Sequence, residues 1–285
     1  MSLMSSEQLE RSKHFVFEHG RLLERKIFEY VFEDGTQAAS LRALRAYQNE
    51  DGGFGNGLEE DLLCPDSTAI GAETALYVLE MLGVQCGEMV ERLACWVITN
   101  QGDEGTIPHP PKGLFDYPFQ PWWRNLDDDR VLVIAALMKK WGLEHEQFFQ
   151  RARRYYLTTT LPAADRFYGY PHFAYLKYNA ESDADGARLA TMIERLPVLL
   201  SAHGNHYPLF SRYWFYAADQ VAPEVLAEQA RRFVAGIQED GGVATPYPDL
   251  PWWRPQLEMR RQEGTPGTRS ALRVHGLLPK AYPAN

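Results

Sequence analysis

Between Gly57 and Asp66 the chain reads Gly-Leu-Glu-Glu-Asp-Leu-Leu-Cys-Pro-Asp, which gathers Glu59, Glu60, Asp61 and Asp66 in one short segment. Carboxyl groups held close raise one another's pKa, one route to a general acid at neutral pH. The same residues also suit a solvated acidic loop, and Asp66 beside Ser67 has the chemistry of a helix cap. Glu73 and Glu80 are the only charges in the apolar stretch 67–82 and share a face with Tyr77 through i, i+4 and i, i+7 spacing. A carboxylate in that setting must be partnered or face water. Glu73 is therefore a candidate for a cavity wall, or equally for a hydrogen bond to a neighbouring helix. Asp127, Asp128 and Asp129 precede the apolar run Val131–Met138, where acids complement a helix dipole. That accounts for two of the three. Asp61, Glu73 and Asp128 are the candidate acids and bases.

Aromatic residues supply the other chemistry. Tyr117 to Arg124 reads Tyr-Pro-Phe-Gln-Pro-Trp-Trp-Arg, and Tyr247 to Arg254 reads Tyr-Pro-Asp-Leu-Pro-Trp-Trp-Arg, identical at six of eight positions. Proline stiffens such loops, paired indoles offer flat apolar faces, and arginine adds a bidentate donor. Trp122, Trp123, Arg124, Trp252, Trp253 and Arg254 are candidate ligand contacts, or else plugs that fasten neighbouring hairpins. Tyr168 to Phe173 makes a further aromatic loop with Tyr170 and His172. His109 and His172 are acid/base candidates, and Glu59 completes the binding set. The pair His203 and His206 has ligand spacing around a turn-like Gly-Asn and predicts no metal site; no cofactor is expected.

These residues must be positioned by helices. Helical apolar spacing covers 5–32 with a break near Gly20, then 36–47, 67–82, 88–100, 126–141, 144–157, 185–202 and 223–237. Gly204 suits a helix stop and Pro223 a helix start. Strand-like alternation is nearly absent. Gln48 to Gly55 reads Gln-Asn-Glu-Asp-Gly-Gly-Phe-Gly and joins two of the helices; Gln238 to Gly242 repeats it, and Gln101 to Gly105 does so loosely. Glycine permits the reversal, Asp51 can bond nearby amides, Phe54 anchors the turn, and Gln48 can satisfy the open end of a neighbouring helix.

The segment Gln48–Gly55, with Pro65-Asp66-Ser67-Thr68 and the helix Ala69–Leu76 after it, resembles the QxxDGGF/W repeat of the squalene cyclase and protein prenyltransferase superfamily. The likeness spans about 35 residues. It implies an all-α, single-domain α/α toroid over residues 1–285, of about five to six helical hairpins around a central cavity. It also implies an isoprenoid-type ligand, bound or converted there. The Asp-x-Asp-Asp and Asp-Asp-x-x-Asp motifs of terpene chemistry are missing. Cys64-Pro-Asp66 reverses the order of the zinc-binding Asp-x-Cys. Gln85-Cys86-Gly87-Glu88-Met89 has Met89 where a thioester needs glutamine. A glycan-binding or glycan-cleaving toroid and a non-catalytic scaffold are the alternatives.

Composition narrows the partners. A net charge of −9 over 285 residues argues against nucleic acid and anionic membranes. No apolar run reaches membrane-spanning length. Three cysteines without a CxxC pair fit a reduced, cytoplasmic setting. The expected partner is a small molecule, isoprenoid or sugar, with room for a homodimer.

Overall fold

The computed structural model describes residues 4–59, 61–117, 119, 121–124, 129–160, 169–202 and 212–243. Glu60, Asp128, His203, His206, Trp252, Trp253 and Arg254 lie outside the described residues. The described chain is all-α: α1 (Ser6–His19), α2 (Leu22–Phe32), α3 (Gln37–Arg45), α4 (Ala69–Leu82), α5 (Glu88–Asn100), α6 (Arg130–Lys140), α7 (Glu146–Thr158), α8 (Tyr170–Asn179), α9 (Asp183–Ala202), α10 (Arg212–Ala217) and α11 (Pro223–Ala235). Among the described residues extended pairing is confined to isolated bridges. No described helix is long and apolar enough to cross a membrane.

The chain divides into two compact units, Leu44–Met192 and Met1–Ala43 with Ile193–Asn285. In the first of these, α6 lies between α4 and α8. Every residue from Val131 to Met138 is buried, because a helix that is apolar all round has no face to give to water. α4 and α8 are enclosed almost as fully. α5 buries Val90, Leu93, Trp96 and Val97, and α7 buries Phe148, Ala152 and Tyr156, the single stripe of an amphipathic outer helix. Glu73 of α4 meets Arg130 of α6, while Glu80 near the end of α4 pairs with Lys140 at the end of α6. α4 and α6 therefore run side by side in the same direction. Tyr170 at the start of α8 joins the first of these meetings, and Lys140 lies over Tyr178 at the end of α8. So α8 runs the same way. The sequence expectation that Tyr170 and His172 sit on an aromatic loop is corrected: both belong to α8, with Pro171 in its first turn, where proline's missing N–H is harmless.

The other unit starts with a capping box: Gln8 N–H donates to Ser5 Oγ at 3.1 Å and Ser5 N–H to Gln8 Oε1 at 3.0 Å. Its core joins Met4 to Ala218, Leu226, Ala230, Phe233 and Val234.

One turn is built three times, each under an outer helix. Asn49 N–H donates to the Gly53 carbonyl and Gly52 N–H to the Asn49 carbonyl. Gly102 and Gly105 do the same with Thr106 and Gly102, and Gln238 and Gly241 with Gly242 and Gln238. The central glycines Gly52, Gly105 and Gly241 have φ of 94°, 92° and 87°. A Cβ on any of them would strike the carbonyl oxygen of Arg92, Arg151 or Arg11, in α5, α7 and α1 respectively. Gln48 Nε2 reaches the Met89 carbonyl at 3.0 Å and Gln101 Nε2 the Phe148 carbonyl at 3.2 Å. The glycines set the register, so Gln238 takes the place of Asn49, and Ile237 that of Gln48. Arg92 returns hydrogen bonds to the carbonyls of Asn49 and Glu50, and Arg151 to that of Gln101. Asp51 accepts from Gly53 N–H, Ser67 Oγ and the Trp96 indole.

Gly52→Ala combines a left-handed φ with a backbone collision and lowers stability by about 2 kcal/mol or more. Gly83→Ala has φ of 73° but open space around the new methyl, so it costs about 1 kcal/mol. Urea midpoints of the two variants check this ordering.

Candidate functional site

The loop between the first turn and α4 bends at Asn56 and Gly57, with φ of 56° and 72°, and is pinned by buried Leu58 and Leu62. Asp61 lies between these anchors and is only 4% exposed. Across from it, Pro121–Arg124 forms a 3-10 turn. Trp122 Nε1–H donates to Asp61 Oδ2 at 3.0 Å, and Trp123 Nε1–H donates to Asp61 Oδ1 at 2.6 Å. One buried carboxylate thus fixes both indoles. Both oxygens accept from the loop's indoles, so the group positions the loop.

The two indoles have different fates. Trp123 is 4% exposed and joins Leu62, Cys64, Ile70 and Leu114 in a small core. Trp122 is 42% exposed, and on the same stretch of chain Tyr117 is 44% and Phe115 64% exposed. Phe115 packs edge-on to Phe119 at 5.7 Å, and the Arg124 guanidinium lies over the Phe119 ring at 5.3 Å. The Trp-Trp-Arg string therefore supplies an anchor, an open indole and a cation. His109 Nε2 lies 2.8 Å from the Trp123 carbonyl. Burial pushes the His109 pKa down, the Trp123 carbonyl partly restores it, and the Arg130 guanidinium lowers it further. Burial raises the Cys64 thiol, which keeps it in its inert form. Asp66 does not cap α4: Thr68 Oγ1 accepts from Gly71 N–H, while Asp66 accepts from Gly113 N–H.

Glu73 is fully buried. Tyr170 Oη–H donates to its Oε1 at 3.0 Å, and Arg130 Nε stands 3.3 Å from its Oε2. Arg130 Nη1 donates to Tyr170 Oη at 3.1 Å and to Asp129 Oδ1 at 3.2 Å. Glu59 accepts from Thr74 Oγ1 at 2.7 Å. Sequence reasoning missed Arg130, although it left a signal: a single cation at the head of an apolar helix, the counterpart of Glu73 in α4.

His172 stands apart from this group. It is 3% exposed, its Nε2 lies 3.0 Å from Thr159 Oγ1, and its ring tilts against Tyr156. Burial lowers its pKa from 6.5 to about 4. The neutral form is the folded one, so stability is complete above pH 6.5 and falls as pH drops toward 4. The loss over that window is about 3 kcal/mol. Unfolding titrations at pH 7 and pH 4.5, compared with His172→Gln, check it; the variant has a flatter profile. Nearby, Tyr156 stacks on Tyr175 at 4.8 Å and donates to Asp185, which Arg153 holds at 2.8 Å. Burial alone would raise Asp185, but the Arg153 guanidinium, the Glu181 N–H and Ser182 hold its carboxyl at about 2.

A separate cleft of about 590 Å³ opens beside Lys139, Arg153 and Arg154. Glu144, Glu146 and Glu181 line it as well, so its charges cancel, and the Phe149 face is covered by Lys139 at 5.3 Å. The aromatic loop is the stronger candidate site. Set against known protein families, curated proteins and solved structures, the chain matches none.

Proposed function

We propose that the aromatic loop ahead of α6 binds the apolar body of an isoprenoid-type small molecule, in a toroid of the terpenoid cyclase and prenyltransferase kind. The observation that carries this reading is the exposed set Phe115, Tyr117 and Trp122, held in place by the Asp61 clasp. Exposed rings gathered on one braced loop favour a binding face. The parallel trio α4, α6 and α8, with α5 and α7 outside, suits the inner and outer layers of such a toroid. Asp61 accepts from two indole N–H groups and Glu73 from the Tyr170 hydroxyl, with Arg130 as its counter-charge, which favours binding and electrostatic roles over acid-initiated cyclisation.

A glycan is the second reading, because an open indole such as Trp122 also stacks on a sugar ring. Intrinsic fluorescence titration separates the two. Farnesyl and geranylgeranyl compounds shift the emission, oligosaccharides do not, and Trp122→Ala weakens binding by about tenfold while lowering stability less than Asp61→Ala does. A response to oligosaccharides alone replaces the isoprenoid reading with the glycan one. No response to either leaves the loop a structural fastening.

A further inference from the structure

The three turns are alike in backbone and unlike in what ties them to their helices. Set by the carbonyl that each left-handed glycine abuts, Arg11 of α1 takes the place of Arg92 in α5 and Arg151 in α7. Gln8 then stands where Met89 and Phe148 do, and Phe15 where Trp96 does. A Cβ on Gly242 would meet the Phe15 ring as one on Gly53 would meet the Trp96 ring. At the first junction Gln48 reaches the Met89 carbonyl, Arg92 the carbonyls of Asn49 and Glu50, and the Trp96 indole reaches Asp51. At the second, Gln101 reaches the Phe148 carbonyl, and Arg151 the Gln101 carbonyl and Asp103. Among the described residues none of these ties recurs at the third. Ile237 replaces the glutamine, Phe15 has no N–H for Asp240, and Arg11 turns to Glu7 of its own helix, with its Nε buried and unpartnered. What holds α1 there is Ser12 Oγ, which donates to the Gly241 carbonyl at 3.0 Å, and Gln8 Nε2, which reaches the Val234 carbonyl of α11 at 3.5 Å. The apolar anchor is smaller too: Val243, in the place of the fully buried Phe54, is partly buried.

We infer that this third junction is a built-in seam, at which α1 separates from the turn 238–242 in a local opening that leaves the turns at Gly52 and Gly105 closed. The hydrogen bonds that hold a turn to a helix are lost together when the two part, so the junction with the fewest opens first. Opening uncovers Phe15 and Val16, each 1% exposed in the closed form. Segments of low local stability are those that move when a ligand or partner binds, and in this unit the seam gives α1 that property. The inference stands on the turns alone and is independent of what the aromatic loop binds.

The test is amide exchange in the full chain, isotope-labelled on its glycine nitrogens and read by NMR. Gly52, Gly105 and Gly241 are matched reporters: each N–H donates to a turn carbonyl at 3.0 Å and each follows an acidic residue, so their intrinsic rates are alike. Gly241 exchanges about tenfold or more faster than the other two. Its rate stays flat in low urea, whereas exchange through global unfolding rises with denaturant. Ile237→Gln restores a donor for the Gln8 carbonyl, and Phe15→Trp restores one for Asp240. Each slows Gly241 by about threefold and leaves Gly52 and Gly105 unchanged. Equal rates at the three glycines, or a Gly241 rate with the urea slope of global unfolding, overturn the inference. So does a folded form of both variants in which Gly241 exchanges as fast as before, since simple fraying of a chain end then accounts for the rate. The wild-type rates and their urea dependence need no variant, so the inference stays testable if either replacement misfolds.

Discussion

Asp61→Ala lowers the stability of the protein by about 4 kcal/mol. The substitution removes the acceptor of two indole N–H groups at once, from Trp122 at 3.0 Å and from Trp123 at 2.6 Å. Trp123 is buried in a core with Leu62, Cys64, Ile70 and Leu114, so its N–H is left without water to replace the lost partner. Hydrogen bonds to an ionised acceptor are stronger than neutral ones, and a stranded buried donor costs about 1–3 kcal/mol. The exposed Trp122 recovers part of its loss from solvent. Asp61→Asn keeps one oxygen for one indole and turns its amide toward the other, so it loses about half as much. Urea titration followed by tryptophan emission reads both variants, and a red shift in the folded baseline reports release of the loop. A loss below 1 kcal/mol for Asp61→Ala means that the clasp does not hold the loop. Its effect on ligand binding should exceed that of Trp122→Ala, since it frees the whole platform.

The sequence made the turns and outer helices visible because both are local. Gly52 with Asp51 is a turn by its own chemistry, and α5 and α7 carry their stripes in a few consecutive residues. Gln238 misleads on register, because the similarity of letters aligns glutamine with glutamine while the left-handed glycine at 241 decides the geometry. α8 escapes periodicity altogether. Its residues from Tyr170 to Leu176 are all buried, so no polar face alternates with an apolar one, and Gly169, Pro171 and the aromatics imitate a loop. The Asp61 clasp joins residues 61 and 62 positions apart. No local pattern announces that meeting. Glu73 was legible as a charge in the wrong place, and the partner answering it was the one cation in α6's first turn.

That partnership makes the second large prediction. Glu73→Leu leaves the Arg130 guanidinium, 15% exposed at its side chain, without its buried counter-charge, and it takes the acceptor from the Tyr170 hydroxyl. Breaking a buried pair in this way costs about 3–5 kcal/mol. Arg130→Met alone strands Glu73 inside the apolar helix trio and costs a similar amount. The informative variant is the double one. Glu73→Leu with Arg130→Met removes both charges and fills the space with apolar atoms, and paired replacement of that kind is often neutral or stabilising. The double variant is therefore more stable than either single variant, and a thermodynamic cycle over the four proteins gives a coupling of about 2 kcal/mol or more. Tyr170→Phe removes one donor to Glu73 and one acceptor for Arg130, and so lowers stability by about 1–2 kcal/mol. If the single losses simply add in the double variant, the pair is not coupled, and Glu73 answers to the cavity rather than to Arg130. If the cycle couples while ligand binding survives in the double variant, the buried pair ties together the starts of α4, α6 and α8, and ligand recognition belongs to the aromatic loop.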